Sequence, residues 1–312
     1  IHRTDSTYDR GQIGEQVNAC LRKQFDGIAD RDFGCLPCPY SQHQLASFGG
    51  TLSQSFFERP ILNSPYAPPT RHHALDDDGQ PLDVPPIDGR RESKFVTPVP
   101  KARKRGTGKQ AQAELGLDDA DTDDQRYNPT PIINLIRSHV ASWRALPNAA
   151  DWGVTPSTAR LLNHWRNHEF QGVRPFFCQV EAVETLIWLT EVARTQRRYA
   201  GIWDHLKGAN KDANPELFRI AMKMATGAGK TTVMAMIIAW HTVNAVRAPT
   251  SNLFSRGFLI VAPGITIRDR LGVLKPERED SYYHERDLVP PDLWEAVLQA
   301  QVEIINYHTF LP

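Results

Sequence analysis

Residues 224–231, with the sequence Met-Ala-Thr-Gly-Ala-Gly-Lys-Thr, combine residue types and spacing that suit phosphate chemistry. Gly227 and Gly229 lack a Cβ atom, so the backbone can turn tightly and come close to an anion. Successive backbone N–H groups in such a loop point inward and form a nest for phosphate oxygens. Lys230 supplies a positive charge for the β- and γ-phosphates, and the Thr231 hydroxyl suits Mg²⁺. The segment predicts a phosphate-binding loop for a nucleoside triphosphate.

Lys230 and Thr231 are the candidate catalytic residues of this loop, and Thr231 is also the candidate Mg²⁺ ligand. The general pattern has Gly at the first position, where this chain has Met224. The alternative interpretation is a chance Gly-Lys-Thr, and the elements predicted on both sides of the loop argue against it. The loop residues predicted to contact the nucleotide are Thr226, Gly227, Ala228, Gly229, Lys230, Thr231 and Thr232.

Alternating strands and helices are predicted to position the loop. An apolar stretch over 218–224 predicts the strand that leads into it, and helical periodicity predicts a helix over 231–246 that leaves it. The run over 257–262 is fully apolar, as expected for a strand buried in a parallel sheet. Another strand is predicted over 301–307, and another helix over 179–194. The predicted fold class is therefore α/β.

In folds of this kind, ligands bind at the carboxyl ends of the strands. The phosphate loop falls at one such end. Pro263 and Gly264 follow the second predicted strand, and His308 and Thr309 follow the third. We therefore expect these positions to lie on the ligand-binding edge of the sheet.

A helical prefix is predicted over 128–170, before the α/β part. Thr130 and Pro131 suit the cap and first turn of one helix, and Thr155 and Pro156 suit those of a second. Apolar residues then recur at helical spacing in both segments. We interpret the prefix as two helices that pack on the domain that follows.

Residues 1–127 are predicted to be irregular, Pro-rich and charged, with one short helix over 11–25. A basic stretch over 94–109 is followed by an acidic stretch over 114–124. Adjacent blocks of opposite sign are typical of a solvated linker, and the alternative is contact between the basic residues and a DNA backbone. Cys35 and Cys38 form a lone C-x-x-C, for which half of a zinc site and a redox pair are the functional alternatives. Because no partner motif stands nearby, the favoured interpretation is that the pair has neither role.

The bulk composition limits the class of protein. The chain has 312 residues, a mass of 35.2 kDa and a formal net charge of zero, so it has room for about two domains of ~150 residues. It contains no run near ~18 apolar residues, so no transmembrane helix is expected. Four Cys residues are too few for a disulfide framework and suit the cytoplasm. Because the first residue is Ile1 and no signal sequence follows, we expect an interior or processed fragment.

The loop resembles motif I of superfamily 2 helicases and translocases, particularly the Res subunits of type III restriction enzymes. Residues 174–179 resemble the family segment whose Gln reads the adenine edge, here Gln179. Residues 258–264 resemble motif Ia, which touches the DNA backbone, and residues 304–310 resemble a later strand-end motif near DNA. As a whole, the stretch over 128–312 resembles bacterial restriction-associated helicases.

The resemblance implies a first RecA-like helicase lobe with an incomplete parallel sheet over 171–312. It implies ATP and Mg²⁺ as cofactors and DNA, duplex or single-stranded, as a partner. It also allows a methyltransferase subunit of the Mod type. The candidate DNA-binding residues are Pro263, Gly264, Arg268, His308 and Thr309.

Three of these assignments have a plainer alternative. The Gln179 amide can donate and accept at once, which suits adenine, but a helix-capping role is the other interpretation. Arg268 could equally belong to a solvated helix start, and His308 could be a structural hydrogen-bonding group.

Hydrolysis in this family needs an Asp-Glu-x-His box, and none follows Thr231. The resemblance implies that this box, a second lobe and a nuclease lie beyond residue 312. We therefore expect an N-terminal fragment of an ATP-dependent DNA helicase or translocase, one that binds nucleotide weakly and hydrolyses little of it. Two alternatives stay open: a phosphate-loop ATPase or kinase that does not act on DNA, and an inactive remnant or interaction module.

Overall fold

The computed structural model describes residues 56, 59–76, 79–93, 130–213 and 216–310. The predicted helix over 11–25, the Cys35 and Cys38 pair, and the two charged stretches lie outside these residues. Strands are β1 (Arg71–His72), β2 (Ile87–Asp88), β3 (Gly257–Ala262) and β4 (Gln301–Asn306). Helices are α1 (Thr130–Arg144), α2 (Pro156–Asn167), α3 (Phe177–Ile187), α4 (Ala200–Ala213), α5 (Lys230–Arg247), α6 (Ile265–Arg270), α7 (Tyr282–Glu285) and α8 (Trp294–Val297).

The two helices of the predicted prefix are present as α1 and α2. The Thr155 hydroxyl caps α2 by accepting from the backbone N–H of Thr158, and Pro156 occupies the first turn. Trp143 in α1 and Trp165 in α2 are both buried. Their indole N–H groups donate to the backbone carbonyls of Trp152 and Leu288. Local capping and periodic burial therefore produce the helices that the sequence indicates.

The helix predicted over 179–194 changes character partway. It is α-helical to Ile187 and then continues as a π-helical segment, Trp188–Ala193. Glu191 lies in this wider segment, where its carboxylate accepts from the Thr155 N–H and from the Trp240 indole N–H. Burial raises the pKa of Glu191, and these donors partly offset that effect.

Helix α5 runs through the middle of the helical layer, and the helix predicted over 231–246 is confirmed. Its buried residues occur around most of its circumference, as expected for a helix enclosed by neighbours. It packs against α2, α3 and α8. Among its fully buried side chains are Met236 and Trp240. The loop that precedes α5 is thus attached to the most enclosed helix of the described chain.

Strands β3 and β4 form a parallel two-stranded sheet, in register from Gly257 opposite Gln301 to Ala262 opposite Asn306. Helices α6, α7 and α8 lie in the connection between them. Both strands were predicted, and the mixed helical and parallel-strand composition is consistent with the α/β class. None of the helices within the described residues has the length and apolar character needed to span a membrane.

Two expectations about the sheet are wrong. Residues 218–224 are irregular, and within the described chain they pair with no strand. An extended segment becomes a strand only when a neighbour pairs with its backbone groups, and β3 and β4 pair with each other instead. Strand β3 is also not fully buried, because Leu259 is 47% exposed.

The segment over 59–93 packs on the helical layer, which its irregular sequence did not predict. Its strands β1 and β2 pair antiparallel. Arg90 makes a bidentate ion pair with Glu181 of α3, with both N–O distances 2.6 Å. The Phe177 N–H donates to the carbonyl of Pro65 at 2.8 Å. The segment therefore contacts the same helix that supports the phosphate loop.

Candidate functional site

The phosphate loop has the backbone geometry that its glycines predict. Gly227 and Gly229 have φ angles of 79° and 75°, in the left-handed region that favours glycine. Gly229 is the residue immediately before α5, and its carbonyl accepts from the Thr232 N–H at 3.0 Å. The turn therefore directs the chain from the loop straight into the first turn of α5.

Lys230 and Thr231 are the first two residues of α5, which is 18 residues long. The first N–H groups of a helix have no partner within it and carry partial positive charge, so they attract anions. Lys230 is exposed, and its Nζ donates to the carbonyl of Ala225 at 2.9 Å across the loop. Thr226 and Gly227 are exposed at the loop tip. The arrangement thus combines a helix terminus, a glycine turn and an exposed positive charge.

Gln179 of α3 contacts the phosphate loop from the buried side. Its side chain is 3% exposed, its Oε1 accepts from the Phe176 N–H at 3.0 Å and its Nε2 donates to the Ala228 carbonyl at 2.9 Å. The first contact is the helix-capping interaction that the sequence left open. The second joins α3 to the phosphate loop. Adenine recognition by Gln179 stays a prediction.

Arg286 contacts the first turn of α5, directly after the loop, and no sequence pattern predicted this contact. Its Nη1 donates to the Thr232 hydroxyl at 2.9 Å, and its guanidinium lies 3.7 Å from the ring centroid of Tyr282. Thr232 is buried, so its hydroxyl faces Arg286 inside the protein and its N–H is bonded to Gly229. Arg286 lies 54 residues after Thr232. A contact over this distance leaves no pattern in the local sequence.

The aromatic residues that precede Gln179 already have stacking partners in the protein. The Phe176 ring lies 5.7 Å from the Tyr66 ring. The Arg144 guanidinium lies 4.9 Å from the centroid of the Phe177 ring, and Arg174 lies 5.4 Å from that of Tyr66. The two Tyr66 contacts connect residues 174–179 to the segment over 59–76, and the Arg144 contact connects them to α1.

An ion cluster lies on α3 within two turns of Gln179. Glu184 is fully buried and accepts from Arg144 at 2.6 Å and from Arg166 at 2.7 Å. Burial works to raise the pKa of Glu181, but Arg90 and Arg144 outweigh that effect and hold the pKa below its ordinary value. Burial lowers the pKa of Arg166, and the Glu184 charge partly offsets this. The cluster holds α3, the helix that carries Gln179, in place.

The candidate DNA-binding residues share one end of the parallel sheet. Ala262 and Asn306 are paired at the carboxyl ends of β3 and β4. Among the residues that follow these ends, Pro263, Arg268, His308 and Thr309 are exposed and Gly264 is half-buried. The structure therefore brings together these five positions from two distant parts of the sequence.

The polar contacts at this sheet end are local. Arg268 donates from Nε and Nη2 to Asp269 at 3.0 and 2.9 Å, and both residues are exposed. The His308 N–H donates to the Asn306 side chain at 3.1 Å. Exposed ion pairs of this kind contribute little to stability, so Arg268 can exchange its carboxylate partner for a phosphate at small cost.

Comparison of the chain with protein-family models, with curated proteins and with solved structures found no match. Function is therefore argued from the residues and geometry of the site.

Proposed function

We propose that this chain binds ATP with Mg²⁺ at the loop over 224–231. The observation that carries the proposal is the left-handed turn at Gly229, which places Lys230 at the first position of α5. Phosphate oxygens would lie against the N-terminal N–H groups of α5. Lys230 would move from the Ala225 carbonyl to the β- and γ-phosphates, and Thr231 would ligate Mg²⁺.

We further propose that the chain is the ATP-binding, RecA-like part of a DNA helicase or translocase of the restriction-enzyme Res type. Supporting this assignment are the motif resemblance, the parallel pair β3 and β4, and the exposed positions at the carboxyl ends of both strands. DNA phosphates would contact this end through Arg268 and the backbone near Gly264 and Thr309. The activity proposed for this chain is nucleotide binding.

Equilibrium binding of a fluorescent ATP analogue to the purified chain, with and without Mg²⁺, tests the nucleotide site. The variant is Lys230→Ala, and the matched control is Lys223→Ala, which removes an exposed lysine from the segment before the loop. A charge-assisted hydrogen bond to phosphate is worth about 1.5–3 kcal/mol, so we expect Lys230→Ala to weaken binding roughly tenfold to a hundredfold. Equal affinities of the wild type and Lys230→Ala would reject the site.

Fluorescence anisotropy with labelled duplex and single-stranded DNA tests the second proposal separately. We expect salt-dependent binding that Arg268→Ala weakens, because phosphate contacts dominate such affinities. Nucleotide binding without any DNA binding would favour a phosphate-loop ATPase or kinase instead.

A further inference from the structure

A cluster of three polar side chains lies at the junction of α2 with the residues that follow α7. His164 lies in the last turn of α2, His168 is the extended residue that follows the helix, and Asp287 faces them from the other segment. The two imidazole rings stack with centroids 4.4 Å apart.

The donor atoms of the cluster converge. His168 Nε2 lies 2.6 Å from Asp287 Oδ2, and His164 Nε2 lies 3.9 Å from Asp287 Oδ1. One donor atom from each of the three residues lies within 4.8 Å of the other two. Tetrahedral Zn²⁺ with bonds of about 2.0–2.2 Å spaces its ligand atoms about 3.3–3.5 Å apart. The two separations lie on either side of that spacing. His164 Nε2 also contacts the Asp287 backbone carbonyl at 2.6 Å, so metal binding requires this contact to be released.

The backbone holds Asp287 in place. It has a φ of 49°, which non-glycine residues rarely adopt. Hydrogen bonds fix both sides of it: the Asp287 N–H donates to His284 at 3.2 Å, and the Leu288 carbonyl accepts from the Trp165 indole at 2.8 Å. Trp165 belongs to α2, the helix that carries His164 and that His168 directly follows. The ligands are thus positioned relative to each other by surrounding structure, which favours metal binding.

We propose that His164, His168 and Asp287 form a binding site for a divalent transition-metal ion of the Zn²⁺ type. Two imidazoles and one carboxylate suit Zn²⁺, Co²⁺ or Ni²⁺, whereas Mg²⁺ prefers oxygen ligands only. His164 is buried, and the other two residues are partly exposed, so water completes the coordination. The ion binds the Nε2 lone pair of each neutral imidazole, so each ring keeps its single proton on Nδ1 and the contacts that its Nε2 made to Asp287 are released.

This site lies next to a contact of the phosphate loop. Asp287 directly follows Arg286, whose guanidinium donates to Thr232 in the first turn of α5. A bound ion fastens α2 to the short segment that carries Arg286. The inference does not depend on the identity of the nucleotide or on DNA binding.

Titration of the chelator-treated full chain with Co²⁺, followed by visible absorption, tests the site. The titration uses a Cys35→Ser, Cys38→Ser background, which removes the lone C-x-x-C pair of the chain as a competing metal ligand. We expect saturation at one ion per chain, with displacement by Zn²⁺ and with absorption typical of four-coordinate Co²⁺. Loss of a ligand in His168→Ala should weaken binding at least about tenfold.

Two further variants make the result decisive. His308→Ala removes an exposed histidine outside the cluster and should leave the titration unchanged. Asp287→Asn retains the shape of the side chain and should weaken binding like His168→Ala, with circular dichroism showing both variants folded. Equal Co²⁺ affinity in the wild type and the two ligand variants, or no saturable binding, would mean that the cluster is only a hydrogen-bonded contact and would overturn the proposal.

Discussion

Residue 229 shows how tightly the phosphate loop depends on one side chain. Its φ of 75° favours glycine. A Cβ atom at this position would lie 2.2 Å from Gln179 Nε2 and 3.6 Å from the Thr232 hydroxyl. The glycine therefore permits both the left-handed turn and the close approach of Gln179 that holds Ala228.

We expect Gly229→Ala to abolish measurable binding of a fluorescent ATP analogue. The substitution strains the turn by about 1–2 kcal/mol and forces the Gln179 amide away from the loop. The control is Gly208→Ala in α4, where a Cβ atom would meet nothing within 4 Å. That exchange should retain nucleotide binding and stabilise α4 by up to about 1 kcal/mol. Wild-type affinity in Gly229→Ala would contradict the role assigned to this turn.

At the scale of elements, the predictable parts of the structure are those whose determinants are local. Thr155 and Pro156 mark the start of α2 without reference to any other segment. The glycine loop and α5 follow for the same reason. The prediction of a strand over 218–224 was wrong because strand formation depends on a partner elsewhere in the chain.

The contacts that the sequence did not predict also depend on distant partners. Arg286 lies 54 residues from Thr232, and Arg90 lies 91 residues from Glu181. Neither arginine sits in a motif, so only the folded chain reveals its partner. At the candidate site, the loop and Gln179 were therefore predictable from local sequence, whereas the distant arginines were not.

His241 on α5 provides a titratable group inside an aromatic environment. The centroid of its ring lies 4.5 Å from that of Trp240, 5.8 Å from that of Phe254 and 6.3 Å from that of Phe258. Its Nδ1 is buried and finds no hydrogen-bond partner among the described residues. Burial lowers the pKa of His241 to about 4, because the charged imidazolium is poorly solvated there.

This depressed pKa predicts a loss of stability in mild acid. Between the unfolded-state value near 6.5 and the folded-state pKa of about 4, the unfolded chain binds the additional proton. The free energy of unfolding therefore falls as the pH drops through this window, by up to about 3 kcal/mol from this group, and levels off below it. Urea denaturation at several pH values between 7 and 4 measures the effect.

The variant His241→Phe isolates the contribution, since a phenyl ring fits the aromatic neighbours and does not titrate. Burial also lowers the pKa of His164, so the wild type and the variant must be compared at each pH. We expect a shallower loss of stability in His241→Phe. Parallel curves for the two proteins would exclude His241 as the source.

At the scale of the whole molecule, one ion cluster joins segments from across the described chain. Arg144 of α1 bridges Glu181 and Glu184 of α3, Arg166 reaches Glu184 from α2, and Arg90 reaches Glu181 from the segment over 59–93. The charges alternate, so each buried carboxylate is neutralised by two guanidinium groups.

Removing the most buried member of the cluster should destabilise the entire described fold. In Glu184→Ala, Arg144 and Arg166 lose their shared carboxylate while still largely buried, and breaking a buried pair costs about 3–5 kcal/mol. The exposed Glu303→Ala on β4 is the matched control and should change stability by less than about 0.5 kcal/mol. Chemical denaturation compares the two. Because α3 also carries Gln179, Glu184→Ala should bind ATP more weakly as well as being less stable. A stable Glu184→Ala variant with normal ATP binding would show that the cluster does not hold α3 in place.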